Sequence, residues 1–394
     1  MNTLLFITWD GPQTSYMEGL FMPIFQEIAK QGDYQFHVVQ FTWADAQKIA
    51  HTQAAADQMG ITYTAWPVLR KPNIAIGSLL TVLTAAGKIK KYIRENNIHI
   101  VMPRSTFPAM MVNQIKNKAF KLIFDADGLP IEERIDFAGL KKESFQYKLM
   151  KSAETKMLKS ADAVITRSQK AIDVHIAHIG ESFRSKFSVV FNGRDKNIFA
   201  YRPHLREELR QELGLKDEML FVYAGSLGPQ YCLNEMLEIF QAYAEKQKAK
   251  FLILTGNTTF AEQNIPSELK PHVILKSVPS EKVSFYLNGG DVAFGLRKPT
   301  FSMQGVAPIK LGEYLLCGLP VIASKGIGDS EMILEQFEKC LLYDHDHPPS
   351  MERIFKFTEK ATFADRDAIR QKAIGFFSLP AAADSYLKTL RSFC

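Results

Sequence analysis

The chain has 394 residues, of which 46% are hydrophobic and 23% charged, with a formal net charge of +6. That length suits two domains better than a single core, and a mild positive balance fits anionic substrates or an anionic membrane surface without requiring nucleic acid. The first residues, MNTLLFITWDG, read as a strand and not a leader, and no apolar run nears the roughly 20 residues that span a bilayer, so a cytoplasmic location is expected. Cys232, Cys317, Cys340 and Cys394 show no metal-ligand spacing and read as reduced thiols, and no metal cluster is visible in the sequence.

The first half alternates short apolar strands with amphipathic helices. Strands are expected at Leu4–Thr8, Gln35–Phe41, Ile61–Trp66, Ile98–Met102, Lys121–Asp125, Ala163–Thr166 and Phe187–Phe191. Helices are expected at Met17–Lys30, Asp45–Met59, Ser78–Glu95 and Glu143–Ser160. Such alternation means a parallel sheet covered on both faces, and ligands bind such sheets at the carboxyl ends of the strands. The residues to watch there are Asp10, Gly11, Arg104, Ser105, Asp125–Gly128, Ser168, Asn192 and Gly193.

Between Asn192 and Leu213 the pattern turns polar, then helical and charged, which places a domain boundary near Ala200. The alternation then resumes, with strands at Leu220–Tyr223, Phe251–Thr255, Val273–Leu275, Val292–Gly295, Pro320–Ala323 and Leu341–Tyr343. Met351–Phe393 reads as helices only, broken at Leu379-Pro380. The expected architecture is α/β: two tandem doubly wound Rossmann-like domains facing a cleft. They are residues 1–199 and 200–375, with 376–394 as a terminal helix.

Several stretches carry chemistry. Gly225-Ser226-Leu227-Gly228 lies between a strand and a helix; it serves either close approach of backbone to a phosphate or simply a tight turn. Its glycine spacing is not that of a dinucleotide fingerprint. Lys310 and Glu313 fall one turn apart on a helix starting near Ile309, so both can reach one ligand. A lysine can neutralise a diphosphate, and a carboxylate can accept two hydrogen bonds from a ribose diol. The competing reading is a surface ion pair, and the apolar Leu311, Leu315 and Leu316 weigh against it.

Asp127, closing a strand, could position an acceptor hydroxyl or act as a base, whereas Glu132 reads as part of a charged first helical turn. Arg104 could hold an anionic acceptor, and Arg297 and Lys298 could hold phosphate; solvated side chains are the alternative for all three. The lysines of Glu143–Ser160 suggest either a membrane-facing surface or a solvated helix face with a core stripe.

At these residues the chain resembles the retaining glycosyltransferases of the GT-B fold, along nearly its whole length. Asn192-Gly193 with Phe199 is similar to that family's signature at the domain junction. Phe221–Gly225 resembles its first C-domain strand and glycine turn. Pro308, Lys310, Glu313, Tyr314 and Leu315, followed by Gly318, Pro320, Val321 and Ile322, resemble its donor-binding helix and strand. The resemblance implies a nucleotide-sugar donor on the C-terminal domain. Glu313 would hold the ribose, Lys310, Gly225, Ser226 and Arg297 the diphosphate, and Val278 would flank the base. Gln304, Gly305 and Val306 would offer backbone to sugar and phosphate.

It further implies a glycan or lipid-linked acceptor on the N-terminal domain near Gly11, Arg104 and Asp127, with Asp127, Lys310 and Glu313 as the catalytic set, and a reaction that needs neither a metal nor a resident cofactor. A role in cell-surface polysaccharide or glycolipid assembly, with peripheral contact at the inner face of the plasma membrane, would follow. The terminal helix, about Ala381–Phe393, would cross back onto the N-terminal domain. Three departures stand out. Gly305 occupies the position of the first of two family glutamates, Ser226 and Gln230 replace an expected Arg and Lys, and no histidine lies near Asp127 in the chain. They leave open a nucleotide-sugar epimerase or hydrolase of the same fold, or a non-catalytic scaffold.

Overall fold

The computed structural model describes residues 2–116, 118–361 and 364–393. Cys394, counted above among the reduced thiols, lies outside them; Cys232, Cys317 and Cys340 are free. By their internal contacts the residues group into two compact units, Met1–Phe191 with Gln304–Val306 and Ala382–Cys394, and Asn192–Met303 with Ala307–Ala381. Residues 192–199 therefore group with the second unit, and 376–381 do so as well.

The first unit holds seven strands: β1 Asn2–Asp10, β2 Tyr34–Thr42, β3 Thr62–Pro67, β4 Ile100–Pro103, β5 Lys121–Asp125, β6 Ala163–Thr166 and β7 Phe187–Val189. They form one sheet in the order β3-β2-β1-β4-β5-β6-β7, every pair parallel. The strands read as continuous apolar runs because helices cover both faces. Leu5, Ile7, Val39, Phe41, Trp66, Val101 and Phe124 build the core on one of them.

The second unit holds β8 Met219–Ala224, β9 Ala249–Leu254, β10 Val273–Lys276, β11 Val292–Gly295, β12 Val321–Ser324 and β13 Cys340–Tyr343. Its order is β10-β9-β8-β11-β12-β13, again all parallel. Side chains alternate across the sheet as a pleat requires: Phe221, Tyr223, Phe251 and Phe294 fill one face, Leu220, Val222, Leu252 and Ala293 the other. In each sheet the strand order reverses at the central pair, β1/β4 and β8/β11. That is where a crevice opens at the carboxyl ends of the strands.

Two helices depart from expectation for local reasons. The helix expected over Met17–Lys30 is a π-turn, Met17–Phe21, running into Met22–Gln31, because Pro23 carries no amide proton to continue an α-helical ladder. The helix expected from Ser78 begins at Ile74, where Asn73 caps it by accepting from the Ile76 amide at 2.9 Å. The terminal segment joins the first unit through Ser385, whose Oγ accepts from the Phe191 amide at 3.0 Å, and through paired hydroxyls of Ser188 and Thr389 at 2.7 Å.

Candidate functional site

In the second unit, β8 runs straight into Gly225, whose φ of +140° favours glycine. A side chain there would also meet Lys310, since a Cβ would stand 2.8 Å from its Nζ. Lys310 comes from helix Ile309–Leu316 and donates to the Tyr223 hydroxyl at 2.7 Å. Its ammonium group lies 4.1 Å from the centre of the Tyr223 ring and 4.3 Å from that of Tyr231. The Tyr223 hydroxyl in turn donates to the Ser226 carbonyl at 2.5 Å, which fixes the turn.

Arg297 follows β11 and reaches the same ring, 4.8 Å from the Tyr231 centroid. Its backbone amide donates to Ser324 Oγ at 2.8 Å. Burial pushes the Lys310 ammonium well below its ordinary range, and the Arg297 charge pushes the same way, while Glu313 opposes them. Among the described residues neither Lys310 nor Arg297 has a carboxylate within ion-pair distance. Two cations around a glycine turn at the switch point of the sheet are suited to an anionic ligand.

The Glu313 carboxylate is not free; it pairs with Arg194. The two residues read as one pair in the sequence thus split: Lys310 runs to the tyrosines and Glu313 to Arg194. Arg194 is pinned by its own backbone, which bridges to Phe377 and Leu379 at 2.8 and 3.0 Å. Val278 packs half-buried at the edge of the apolar cluster that includes Leu220 and Val222.

In the first unit, Arg104, at the end of β4, bridges Asp127 at 2.5 Å and Asp10 at 3.4 Å. Arg167, just past β6, binds Asp125 at 2.7 Å and lies 3.7 Å from Asp127. Thr8 Oγ1 also donates to Asp10, at 2.5 Å. Three carboxylates and two guanidinium groups therefore occupy the carboxyl ends of β1, β4, β5 and β6. Burial pushes the Asp125 carboxyl up and the Arg167 charge pulls it back. Asp127 is held in the left-handed region, φ +52°, an uncommon cost for a residue other than glycine.

Gly11 lies under Trp43, where a Cβ would stand 2.6 Å from the indole. A histidine from helix Gln169–Ile179 reaches the residue after Asp127. His175 Nε2 bonds the Gly128 carbonyl at 3.1 Å, and burial keeps the ring below its ordinary pKa.

Gln304, Gly305 and Val306 belong to the first unit. The Gln304 carbonyl accepts from Ser168 Oγ at 2.6 Å. Gly305 packs backbone to backbone on Gly128, and a Cβ on Gly305 would stand 2.7 Å from the Leu129 amide nitrogen. The departure at this position is therefore steric as well as chemical, because no side chain fits there.

Sequence reasoning missed Arg167, Arg194, Tyr223 and Tyr231 as members of these clusters. Arg167 stands at a strand's carboxyl end and could have been found by that rule; the tyrosines read as core or loop. Lys151, assigned to a possible membrane face, instead sits between Glu132 at 3.0 Å and Glu154 at 2.7 Å. Cys232, Glu235 and His345 bring possible metal-ligand atoms within 4.8 Å of one another, which their spacing does not suggest. Hydrogen bonds explain this group: Glu235 holds the Cys232 thiol, whose pKa burial raises to about 12, and His345 Nε2 bonds Ser324 Oγ at 2.7 Å.

No family model matches the sequence. Spore coat protein SA of Bacillus subtilis is 24% identical over 222 residues, 52% of this chain; the match spans 58% of that protein's length. HepE of Anabaena, solved in complex with UDP-glucose, superposes with a TM-score of 0.73 at 16% identity over 99% of both chains. Sucrose-phosphate synthase of Thermosynechococcus elongatus gives 0.72 at 14% identity, over 100% of this chain and 99% of that one. WaaG, a glycosyltransferase involved in lipopolysaccharide biosynthesis, gives 0.66 at 18% identity, over 97% and 98%. At such identities the likeness speaks to architecture, and it identifies the fold of this chain as that of the GT-B glycosyltransferases.

Proposed function

We propose that the protein is a retaining glycosyltransferase that moves a sugar from a nucleotide-diphosphate sugar to an acceptor hydroxyl. The observation that carries the reading is the pair Lys310 and Arg297 around Gly225, at the switch point of the second sheet and without a carboxylate partner among the described residues. The family resemblance supports the retaining outcome, and HepE, a structural neighbour, is known with UDP and UDP-glucose bound.

In this reading the diphosphate lies against Lys310, Arg297 and the turn at Gly225-Ser226. Glu313, oriented by Arg194, accepts the ribose hydroxyls, and Val278 flanks the base. Cleavage of the glycosidic bond puts negative charge on the leaving diphosphate, and the two cations stabilise it as it develops. The phosphate oxygen released from the anomeric carbon takes the acceptor hydroxyl's proton as the acceptor oxygen bonds that carbon on the same face. No resident cofactor is called on, since the nucleotide sugar is a co-substrate. Gly305 offers backbone only, so the sugar is held without a side chain from this position.

The acceptor, a glycan or lipid-linked sugar, is assigned to the first unit near Gly11, Arg104 and Asp127. Asp127 is already hydrogen-bonded by Arg104, so it serves as an orienting carboxylate. The setting we propose is assembly of a cell-surface polysaccharide or glycolipid on the cytoplasmic side of the membrane.

The test is titration with UDP, GDP and ADP by calorimetry, followed by incubation with the matching sugar nucleotides with and without acceptor. Nucleotide binding that Lys310→Ala and Glu313→Ala abolish, plus an acceptor-dependent product of retained anomeric configuration, is the expected result. Turnover without acceptor would replace this reading with a hydrolase or epimerase. Failure to bind any nucleotide would replace it with a scaffold.

A further inference from the structure

Helix Ile74–Glu95 is held to its unit by one narrow stripe, in which Gly77, Thr81, Val82, Ala85 and Ile89 are buried. The approach is close. A Cβ on Gly77 would stand 2.3 Å from the Leu69 carbonyl, and the Thr81 hydroxyl accepts from the Leu69 amide at 2.9 Å. The remaining surface of the helix ought to be polar. Instead Ile74, Ile76, Leu79, Leu80 and Leu83 stand 43–58% exposed, and Leu69 just before them is 49% exposed. Apolar side chains gathered in this way mark an interaction surface.

Charge decides which kind. No aspartate or glutamate occurs between Asp57 and Glu95, a stretch that carries Arg70, Lys71, Lys88, Lys90, Lys91 and Arg94. Arg70 stacks 4.9 Å from the centre of the Trp43 ring, and that indole is itself partly exposed. Leucines flanked by cations, with an amphipathic aromatic at the margin, match the layers of an anionic bilayer surface: acyl chains, interface and phosphate headgroups. A second copy of the same face would set these cations against each other. No helix among the described residues is long and apolar enough to cross a membrane.

We propose that this face docks on an anionic lipid bilayer. The helix lies in the interface with its Ile74–Leu83 aliphatics inserted and Lys90, Lys91 and Arg94 on the headgroups. The inference goes beyond the transferase reading and does not depend on it. It also moves the membrane-facing surface from the helix Phe145–Ser160, where the lysines first suggested it, to this earlier helix.

The experiment is sedimentation of the full chain with vesicles of phosphatidylcholine alone, or with about one third phosphatidylglycerol. Calorimetric titration of UDP is run in parallel. Binding to the anionic vesicles, weakened by salt, is expected, with at least about a tenfold loss of partitioning in Leu79→Glu/Leu83→Glu and a several-fold loss in Lys90→Glu/Lys91→Glu. Nucleotide affinity and circular dichroism should stay unchanged in both, so failure here and failure of the donor-site assignment are separate results. The control Lys141→Glu/Lys142→Glu should bind as the parent does. The proposal is overturned if the parent ignores anionic vesicles, if the leucine variant binds like the parent, or if the parent is a dimer that the leucine variant dissociates.

Discussion

The ammonium of Lys310 rests 2.7 Å from the Tyr223 hydroxyl and over the face of its ring, in a buried position that favours the neutral amine. An anionic diphosphate favours the charged form instead. Binding should therefore take up a proton wherever free Lys310 is partly neutral, and affinity should fall as pH rises through its depressed pKa. The linkage for folding has the opposite slope. The unfolded lysine binds its proton more tightly than the folded one, so this residue makes the unliganded protein more stable as pH rises from the depressed value toward the ordinary one. Calorimetry of UDP binding in buffers of different ionisation enthalpy measures the uptake. It should vanish in Lys310→Met, and equal uptake in that variant would remove Lys310 from the diphosphate.

Glu313 and Arg194 form a partly buried pair, so each should depend on the other. Unfolding of Glu313→Ala, Arg194→Ala and the double variant by urea should show a coupling of about 1–2 kcal/mol. If Arg194 orients Glu313 toward a ribose, Arg194→Ala should also weaken nucleotide binding several-fold. Unchanged affinity in that variant would leave the pair a structural one.

Arg167 and Arg104 sit in one network but should not cost the same to remove. Arg167→Met leaves Asp125, which has no exposed surface, without its main counter-charge, and a loss of about 3–5 kcal/mol is expected. Arg104→Met leaves Asp127, whose side chain is 24% exposed and can hydrate, so the loss should be smaller. Without Arg167 the Asp125 pKa rises further above its unfolded value. The deficit of that variant should then shrink as pH falls and widen as pH rises. Chemical denaturation at several pH values reads both effects.

Glycines in these turns should respond by position. Gly128→Ala and Gly305→Glu each drive a side chain into backbone and should lose about 1–3 kcal/mol. Gly305→Glu should not raise transfer, because the carboxylate cannot enter without displacing the turn. Gly225→Ala meets the end of the Lys310 side chain and also places a Cβ on a residue with φ +140°, so it should lose both nucleotide affinity and about 1–3 kcal/mol of stability. Gly228 faces open space, and Gly228→Ala should stay within about 0.5 kcal/mol. Thermal melts and UDP titration of the four variants separate these outcomes.

Much of the fold was legible because its signals are local. Continuous apolar runs broken by glycine and asparagine turns mark strands such as Lys121–Asp125 and Val292–Gly295, and both formed where the pattern put them. Helix starts were harder, since Asn73 caps a helix that its apolar pattern alone would begin later. In the site, the neighbourhood of Lys310 and Gly225 follows from the family resemblance and not from spacing. Its partners do not. Arg194 reaches Glu313 from far along the chain, and Tyr231 joins Lys310 and Arg297 only through the folded loop. Such pairings depend on tertiary contacts that no short-range period encodes. The histidine at Gly128 is of the same kind, since His175 arrives from a different helix.

The backbone contact between Gly128 and Gly305 also limits which substitutions the two turns can absorb. A side chain added at either position meets main chain, not the tip of a side chain that could swing aside. Main chain cannot be trimmed by a second substitution, so a change at one glycine is not rescued by a change at the other. Relief needs movement of a whole turn.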